Sequence, residues 1–245
     1  MVLAARLRPF HLAPQHDWAL DFRPMPFRPL AVILLAVLLF TARPAVAQRA
    51  DGPVAGWVRV ELVTSMGRIV VAVDMKHAPR TSANFLTYVD DGRLDGTTFY
   101  RAARRRTDGK LGYVQGGIRT DLRRALPPVP HEPTSATGIR HLDATLSMAR
   151  KDQLGSATGN FFLTVGATPY MDAHDGYAGY AAFGRVVGGM AVVKKMLALP
   201  TSGGTGEMKG QMIDKPVTIL RARRLDGKPR PSGRAKAWLL WERRP

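Results

Sequence analysis

The stretch FYRAARRRTDGKLGYVQGG, Phe99 to Gly117, places an arginine-crowded loop between two strand-like pieces. These pieces run from Gly96 to Arg101 and from Leu111 to Gln115. The pattern predicts a hairpin of two strands, and a loop of this composition normally turns its charges toward water. Whether any arginine of the stretch does more than that depends on the segments around it.

Further strands are indicated on both sides of this stretch. The alternating segment VRVELV, Val58 to Val63, is followed by turn residues and by a second strand pattern from Arg68 to Val73, which together predict a β-hairpin. Near the other end, Pro216 to Leu225 reads as a closing strand. The predicted domain therefore begins and ends with β-structure.

Two helices are indicated, one early and one late. The early helix begins at Pro79, where proline suits a first helical turn, and ends at Gly92. The late helix runs from Gly189 to Leu199 and is followed by Pro200. The apolar faces that these spacings predict are formed by Ala83, Phe85, Leu86 and Val89 and by Val192, Val193, Met196 and Leu197. Short β-rich runs with only two helices favour an antiparallel barrel or sandwich with helical caps.

The composition excludes some chemistry and suggests some partners. The 245 residues contain no cysteine, which excludes disulfides, thiolate nucleophiles, cysteine metal sites and a lipidated cysteine anchor. Lysine and arginine number 36 against 19 acidic residues, a net charge of +17 that suits acidic partners such as nucleic acid, an anionic membrane surface or acidic clients.

The N-terminal region is typical of an export signal. The apolar run LAVILLAVLLF, Leu30 to Phe40, follows arginines and precedes ARPAVAQ, a pattern that predicts cleavage after Ala47. The run is shorter than the about 20 apolar residues that a membrane helix needs. We expect a periplasmic protein without an integral membrane span after cleavage, and no specific nucleic-acid partner. The normal size of a signal beginning at Met25 suggests that the true start lies there.

These patterns divide the chain into four parts. Residues 1–47 form an extension and signal peptide, residues 48–57 a short linker, residues 58–225 the folded domain and residues 226–245 a basic tail. The tail is rich in proline and glycine, which predicts partial disorder. Its WLLW segment, Trp238 to Trp241, is either a membrane-surface or partner contact or a flap packed on the domain.

Six motifs occur in one order along the domain: PRTSANF (79–85), GTTFYR (96–101), VQGG (114–117), LSMAR (146–150), SATGNFFL (156–163) and FGRVVGGM (183–190). From about Val58 to about Leu225 the chain resembles the cyclophilin-type peptidyl-prolyl cis-trans isomerases. The resemblance implies a mainly β fold, a closed eight-stranded antiparallel barrel capped by two helices. It also implies proline-containing polypeptides as clients, and we expect a monomer.

The chemistry of prolyl isomerisation explains why such a motif needs an arginine. An X-Pro bond isomerises over tens to hundreds of seconds because amide resonance opposes rotation, with a barrier of roughly 18–20 kcal/mol. No covalent bond is made, so the reaction requires neither a nucleophile nor a metal or other cofactor. A fixed guanidinium can stabilise the twisted amide nitrogen. By resemblance this catalytic residue is Arg101, and Gln115 holds its guanidinium and contacts the substrate.

The resemblance also assigns a proline pocket and a peptide-binding edge. The pocket residues that it implies are Tyr113, Met148, Phe162, Met171 and Tyr180, whereas Phe161 is expected in the core because strand neighbours face opposite ways. Ala149 and the backbone of Arg150 would pair with an extended peptide, with the side chain of Asn160 beside them. Arg104, Arg105 and Arg106 are expected in an inserted loop, as solvated or client-steering charges.

Three positions depart from the family pattern. Gly112 stands where a pocket phenylalanine is usual, so that Tyr113 or Leu111 refills the gap or the pocket is shallow. Asn160 replaces a glutamine, and Tyr170 stands where some members carry tryptophan. These departures leave a second interpretation open, a weakly active or inactive peptide-binding chaperone or adaptor.

Other patterns carry no function at this stage. The segment GGTGEMKG (203–210) lacks the ending of a phosphate loop and is interpreted as a plain loop. The histidines His131, His141 and His174 lack metal-ligand spacing, and no Ser/His/Asp arrangement is indicated.

Overall fold

The computed structural model describes residues 54–242, and within them the strands form one closed antiparallel barrel. Eight strands follow one another around it in the order β1, β2, β7, β5, β6, β4, β3, β9, and β1 pairs with β9 to close the ring, while the two-residue β8 adds to β9. The strands are β1 (Trp57–Thr64), β2 (Gly67–Asp74), β3 (Thr98–Arg104), β4 (Gly112–Gly117), β5 (Thr145–Met148), β6 (Asn160–Val165), β7 (Ala181–Gly188), β8 (Thr201–Ser202) and β9 (Met212–Arg224). The predicted eight-stranded barrel is confirmed.

Alternating side chains from these strands fill the barrel with an apolar core. In the first hairpin, which matches the prediction, Val60 and Leu62 of β1 and Val71 of β2 are fully buried. Phe161 meets Phe99 edge to face at 5.6 Å within this core, which confirms its predicted place. The neighbouring Phe162 lies outside the core cluster because successive strand residues face opposite ways.

In the described part of the chain, four α-helices connect or follow the strands: α1 (Pro79–Asp90), α2 (Thr134–Thr137), α3 (Met190–Leu197) and α4 (Leu239–Glu242). Three short 3-10 helices lie at Leu122–Arg124, Pro169–Met171 and Gly206–Met208. Helix α1 packs against β2, β7 and β9, and α3 packs against β2, β3, β4 and β6. The two longer helices are those that the sequence predicted.

The buried face of α1 differs from the prediction at one residue. Phe85, Leu86 and Val89 are buried as expected, but Ala83 is exposed. Ala83 is two positions from Phe85, and about 100° per residue places it on the opposite side of the helix. Tyr88 is buried instead, and its hydroxyl accepts a hydrogen bond from the backbone N–H of Leu126 at 2.8 Å.

Helix α3 begins at a position that only glycine can occupy. Gly189 has φ of 79°, and a Cβ there would lie 2.2 Å from the carbonyl oxygen of Arg68. Val193, Met196 and Leu197 of the helix are buried, and the predicted stripe residue Val192 is partly buried against the core.

Arg104 does not lie in the loop, contrary to the sequence prediction. It ends β3 opposite Gly112, and its guanidinium donates to the carbonyls of Leu197 and Leu199 and to Thr201 Oγ1 at 2.6–2.8 Å. These carbonyls belong to the end of α3, where a helix leaves its acceptors unsatisfied. Arg105 donates to the carbonyl of Ala167 at 2.6 Å. Both arginines have structural partners, while Arg106 is exposed as expected.

The basic tail packs on the domain. Trp238 is 3% exposed and lies between the guanidinium groups of Arg93 and Arg124, whose Cζ atoms are 4.8 and 5.1 Å from its ring. Arg93 is itself 1% exposed and donates to the carbonyl of Ala235 and to Asp91. The predicted disorder is therefore wrong for residues 226–240, and the packed flap is the alternative that the structure supports for Trp238.

The predicted signal segment and its cleavage position lie outside the described residues. Among residues 54–242 no helix is long and apolar enough to cross a membrane.

Candidate active site

Arg101 is held by three neighbours at the surface of the barrel. Its Nε donates to Gln211 Oε1 at 2.9 Å, one terminal nitrogen donates to Gln115 Oε1 at 3.1 Å, and the other lies 3.4 Å from the carbonyl of Glu207. A register shift in β3 between Phe99 and Arg101 brings Arg101 opposite both Gln115 of β4 and Met212 of β9. The guanidinium is thus fixed by three neutral groups.

Gln211, which the sequence did not indicate, and the glycine-rich loop before it both help to hold Arg101. The carbonyl of Gln211 accepts a hydrogen bond from Ala102 N at 2.9 Å, which fixes the residue beside β3. The loop of residues 203–210 leads directly into Gln211 and contributes the Glu207 carbonyl. The segment interpreted as a plain loop therefore carries one of the groups that hold Arg101 and leads directly into a second, Gln211.

A hydrogen-bonded chain continues from Arg101 through Gln115. The amide nitrogen of Gln115 donates to the hydroxyl of Tyr100 at 2.8 Å, and that hydroxyl lies 3.4 Å from Asn160 Oδ1. Burial raises the pKa of Tyr100 to about 12, against the opposing effect of Gln115 and two arginines. The hydroxyl therefore keeps its proton at neutral pH, and Gln115 has a fixed orientation.

An aromatic bowl lies beside the guanidinium. Its floor is Phe162, whose ring is 5.2 Å from that of Tyr113 and 5.6 Å, edge to face, from that of Tyr180. The Arg101 Cζ lies 5.3 Å from the Tyr113 ring, and burial raises the pKa of Tyr113 to about 12. Phe162 is only 2% exposed, so that an entering ring would first meet the two tyrosines.

The rest of the predicted pocket divides between bowl and core. Met171 is 5% exposed, and its carbonyl accepts a hydrogen bond from Tyr180 N at 3.0 Å, which ties it to the bowl. Met148 is 1% exposed and belongs to the barrel core, so its position is that of a core residue and not of a bowl residue. Tyr170 is 58% exposed.

Gly112 resolves which neighbour replaces the usual pocket phenylalanine. Its φ is 143°, and a Cβ there would lie 2.0 Å from the carbonyl oxygen of Ala103, so β4 could not pair with β3 in this way if position 112 carried a side chain. Tyr113 packs on Phe162 instead, while Leu111 packs close to Gly166. The bowl is complete but shallow.

A buried polar array supports the floor of the bowl. His141 is fully buried and stacks on Phe162 with the two rings 12° apart in angle and 5.9 Å apart at their centroids. Its Nδ1 lies 2.6 Å from Asp172 and its Nε2 lies 2.9 Å from the Ser147 hydroxyl. Burial lowers the pKa of His141, although Asp172 opposes this effect.

This Ser147–His141–Asp172 array was not indicated by the sequence, because the three residues lie on different segments. Ser147 is fully buried, so the array has no access to a substrate and serves to fix the Phe162 ring. Among residues 54–242 no cluster of three or more histidine, cysteine or acidic side chains could hold a metal ion.

The expected peptide-binding edge lies at the end of β5. The N–H of Ala149 donates to the carbonyl of Asn160 at 2.9 Å, while the backbone N–H and C=O of Arg150 have no hydrogen-bond partner within residues 54–242. Unpaired main-chain groups of this kind can accept an added strand. The Arg150 side chain lies beside the bowl, since its Cζ is 5.1 Å from the ring of Tyr180, which in turn contacts Phe162.

Asn160 has a different partner from the one the resemblance implied. Its Nδ2 donates to the carbonyl of Arg119 at 2.9 Å, and its Oδ1 accepts from the N–H of Arg119 at 2.7 Å. The nitrogen and the oxygen of the side-chain amide thus each have a partner within the protein.

Three comparisons with known proteins agree with this arrangement. The model of the cyclophilin type peptidyl-prolyl cis-trans isomerase family matches residues 59–224. The peptidyl-prolyl cis-trans isomerase A of Dickeya dadantii is 33% identical over 200 residues, covering 80% of this chain and 96% of that protein. A peptidyl-prolyl cis-trans isomerase of Acinetobacter baylyi is 32% identical over 161 residues, 66% of this chain and 82% of that protein.

The fold has a similar counterpart among solved structures. A cyclophilin-type isomerase of Cryptosporidium parvum superimposes with a TM-score of 0.54 at 17% identity, over 70% of this chain and 99% of that one. At this identity the likeness concerns the fold.

Proposed function

The chain belongs to the cyclophilin-type peptidyl-prolyl cis-trans isomerase family, and from this premise we propose that Arg101 is the residue that catalyses rotation about X-Pro bonds. The observation that carries the proposal is the fixed guanidinium, bonded to Gln115 and Gln211 and adjacent to an aromatic bowl. The clients would be proline-containing polypeptides, bound by a monomer.

The mechanism needs a charge that is already oriented before rotation begins. As the amide twists, its nitrogen becomes pyramidal and gains a lone pair that a guanidinium hydrogen can approach. Because Gln115 and Gln211 hold the Arg101 side chain in place, little reorganisation is needed at the transition state, which is the origin of electrostatic catalysis. Gln211 is a positioning residue in this proposal.

The bowl and the edge would place the bond beside this charge. The proline ring would rest on Tyr113, Phe162 and Tyr180, where removal of apolar surface from water contributes about 25 cal/mol per Å². The unpaired backbone groups of Arg150 would hold the adjoining peptide through main-chain hydrogen bonds, which read little sequence. Met171 closes one side of the bowl.

We also propose that the protein assists folding in the cell envelope after export to the periplasm. The support is the apolar run of residues 30–40 with its small residues before Gln48. Cell fractionation and mass spectrometry of the mature protein provide the test. The expected result is a periplasmic protein that begins at Gln48, and a cytoplasmic protein that retains Leu30 to Phe40 would contradict the proposal.

A weakly active or inactive peptide-binding chaperone is the second candidate. It is favoured by the 2% exposure of Phe162, which leaves only a shallow bowl, and by the Asn160 amide, which is engaged with Arg119 instead of a substrate. In this case the bowl and edge bind client peptides but accelerate rotation little.

An assay of prolyl isomerisation on a short X-Pro peptide separates the two candidates. It measures kcat/KM for the purified protein and for its Arg101→Ala and Arg101→Lys variants. Catalysis through the guanidinium predicts a loss of kcat/KM of about a hundredfold in Arg101→Ala, the size of effect seen when one preorganised donor is removed. Lysine lacks the planar fork and should recover little of it.

The matched control is Arg106→Ala, which removes an exposed arginine from the neighbouring loop and should leave kcat/KM unchanged. Wild-type protein that binds the peptide without accelerating its isomerisation would support the chaperone instead. Equal rates for wild type and Arg101→Ala would show that Arg101 is not the catalytic residue.

A further inference from the structure

Two arginines flank the start of β6 at one edge of the barrel. Strand β6 lies between β5 and β4, and Asn160 is its first residue. Arg150 follows the end of β5, and Arg119 follows the end of β4. Asn160 contacts both neighbouring segments, since its carbonyl accepts from Ala149 N and its side chain binds the backbone of Arg119. Arg119 and Arg150 therefore lie on either side of the same residue.

Arg119 is held in a backbone conformation that arginine rarely adopts. Its φ is 53°, in the left-handed region, and two hydrogen bonds maintain it there: the Arg119 N–H donates to Asn160 Oδ1, and Asn160 Nδ2 donates to the Arg119 carbonyl. The conformation places the Arg119 Cζ 5.8 Å from the ring of Tyr100, the residue that orients Gln115. Strain of this kind persists where the surrounding structure over-determines it, and it is concentrated at functional positions.

Arg150 is oriented by neutral groups alone. Its guanidinium donates to the carbonyls of Gly179, Lys151 and Asp152 at 2.8–3.1 Å, and its Cζ lies 5.1 Å from the ring of Tyr180 at the rim of the bowl. Carbonyl oxygens and an aromatic face position the group without neutralising its charge. The side chain is therefore a preorganised cation beside the proline site.

The acidic side chains of the vicinity are directed elsewhere. Asp121, two residues after Arg119, bonds the guanidinium of Arg123 at 2.8 and 3.0 Å. In addition to burial, Glu207 raises the pKa of Tyr113 and of Tyr177, and its backbone carbonyl lies beside Arg101. Within residues 54–242 no carboxylate lies within 4.0 Å of the guanidinium of Arg119 or Arg150, so this edge carries two uncompensated charges.

The register of the strands gives the distance from this edge to the proline site. Gln115 is opposite Phe162, and Gly117 is opposite Asn160, so the edge lies two residues farther along the strands. At about 3.3 Å per residue the separation is about 7 Å, which an extended peptide covers with two residues. A client whose proline rests on Phe162 would bring a residue within two positions of that proline to the arginines.

On these grounds, and resting on the isomerase function proposed above, we propose that Arg119 and Arg150 are specificity-determining residues that select clients with aspartate or glutamate within two residues of the proline. A guanidinium donates charge-assisted N–H···O bonds to a carboxylate, and Arg150 can do so from Nη2, because its bonds to the three carbonyls use Nε and Nη1. The stacked and bonded side chains have already lost much of their rotational freedom, so that less is lost on binding.

The test compares peptides that differ in one isosteric pair. Four X-Pro peptides carry Glu or Gln two residues before, or two residues after, the proline, and kcat/KM is measured at low ionic strength. The expected Glu/Gln ratio at one or both positions is about fivefold, the factor that corresponds to about 1 kcal/mol for an exposed charge pair. Because about 0.5 M salt screens such pairs, the ratio should fall toward one there. A ratio of one at both positions at low salt overturns the proposal.

Single substitutions show which residue causes the preference for Glu peptides. Arg119→Gln and Arg150→Gln should each lower the Glu/Gln ratio. Arg119→Lys should retain only the part that the charge itself supplies. Arg119→Glu should shift preference to a peptide with Lys at the same position. Because each ratio is taken within one variant, a general loss of activity cancels. The control Arg221→Gln removes one positive charge from the exposed face of β9, distant from β6 in strand order, and should leave the ratio unchanged. An equal fall in this control would assign the preference to net charge and overturn the proposal.

Turnover of the Gln peptides separates this inference from the proposed function. If the Gln peptides are isomerised as well as the Glu peptides, the function stands and the selective edge does not exist. If no peptide is isomerised, the function fails, and fluorescence anisotropy of the same labelled peptides still decides the edge. A lower Kd for Glu peptides that is lost in Arg119→Gln then supports it, and equal Kd values overturn it.

Discussion

Replacing Trp238 by alanine is expected to release the tail from the domain and to lower the free energy of unfolding. The indole is 3% exposed and lies between the guanidinium groups of Arg93 and Arg124, two residues that are themselves buried. Nearby, the Ser232 N–H and hydroxyl donate to Asp91 at 2.7 and 2.6 Å, and the N–H of Arg230 donates to Asp90 at 2.8 Å. The indole is the one large apolar side chain in this set of contacts.

The size of the effect follows from the area that the indole covers. A buried tryptophan removes about 200 Å² from water, which at about 25 cal/mol per Å² is about 5 kcal/mol. A compact unfolded state reduces this by roughly 10–40%. Because the tail can also undock locally while the barrel stays closed, we expect a loss of about 3 kcal/mol, or a fall in Tm of about 6–12 °C for a domain of this size.

Urea denaturation and limited trypsin digestion measure the two consequences. The Trp238→Ala variant should unfold at lower urea, and trypsin should cleave it rapidly after Arg234 and Lys236, which lie in the docked tail. Leu240→Ala is the control, because Leu240 is 76% exposed and its loss should change stability by less than about 0.5 kcal/mol. An unchanged midpoint together with unchanged trypsin resistance in Trp238→Ala would refute the reasoning.

Three further predictions concern a glycine, a histidine and an arginine. Gly112→Ala should lower the free energy of unfolding in urea by about 2 kcal/mol or more, because the added Cβ would overlap a backbone carbonyl. At Gly109 an added Cβ would meet nothing within 4 Å, so Gly109→Ala should leave the free energy of unfolding unchanged. Equal effects of the two substitutions would contradict the steric reason. The pKa of His141 is lowered in the folded state, so as pH falls the unfolded chain, in which this pKa is about 6.5, takes up a proton first. The free energy of unfolding should therefore fall as pH drops below about 6.5, by at most about 1.4 kcal/mol per pH unit. His141→Gln should lack this pH dependence when unfolding is measured at several pH values. Arg104→Ala should lower Tm by removing about 1–2 kcal/mol of hydrogen bonding at the end of α3, and no difference from Arg106→Ala would exclude that role.

The fold was predictable where local pattern and position in the structure agree. The alternation of apolar residues indicates the buried faces of β1 and β2, and the apolar stripe indicates that of α3. The proline indicates where α1 begins. Ala83 was misplaced because a small apolar residue carries little information about its face. Disorder was predicted for the tail because its own composition offers few residues that could form a core. Trp238 is buried instead by Arg93 and Arg124, which are far from it in sequence.

The candidate site was predictable in its motif residues and not in their supports. Arg101, Gln115 and Phe162 lie together as the resemblance implied. Gln211 could not be found, since its contact with Arg101 depends on the pairing of β3 with β9 across 110 positions of sequence. Asn160 was identified, but its partner was not, because a side-chain amide can bind a substrate or its own backbone equally well.

The ring closes only when β1 meets β9, and this seam has a consequence for how the polypeptide acquires its fold. Arg59 binds Asp226 through its backbone N–H and its guanidinium, and the two residues are 167 positions apart. Until Asp226 has left the ribosome, or the exporting channel if the chain is exported, β1 has one unpaired edge. Contacts of such long range form late and slowly. The barrel is therefore expected to close only after nearly the whole chain is available. During that interval, the unpaired edge of β1 must be prevented from pairing with the strand edges of other chains.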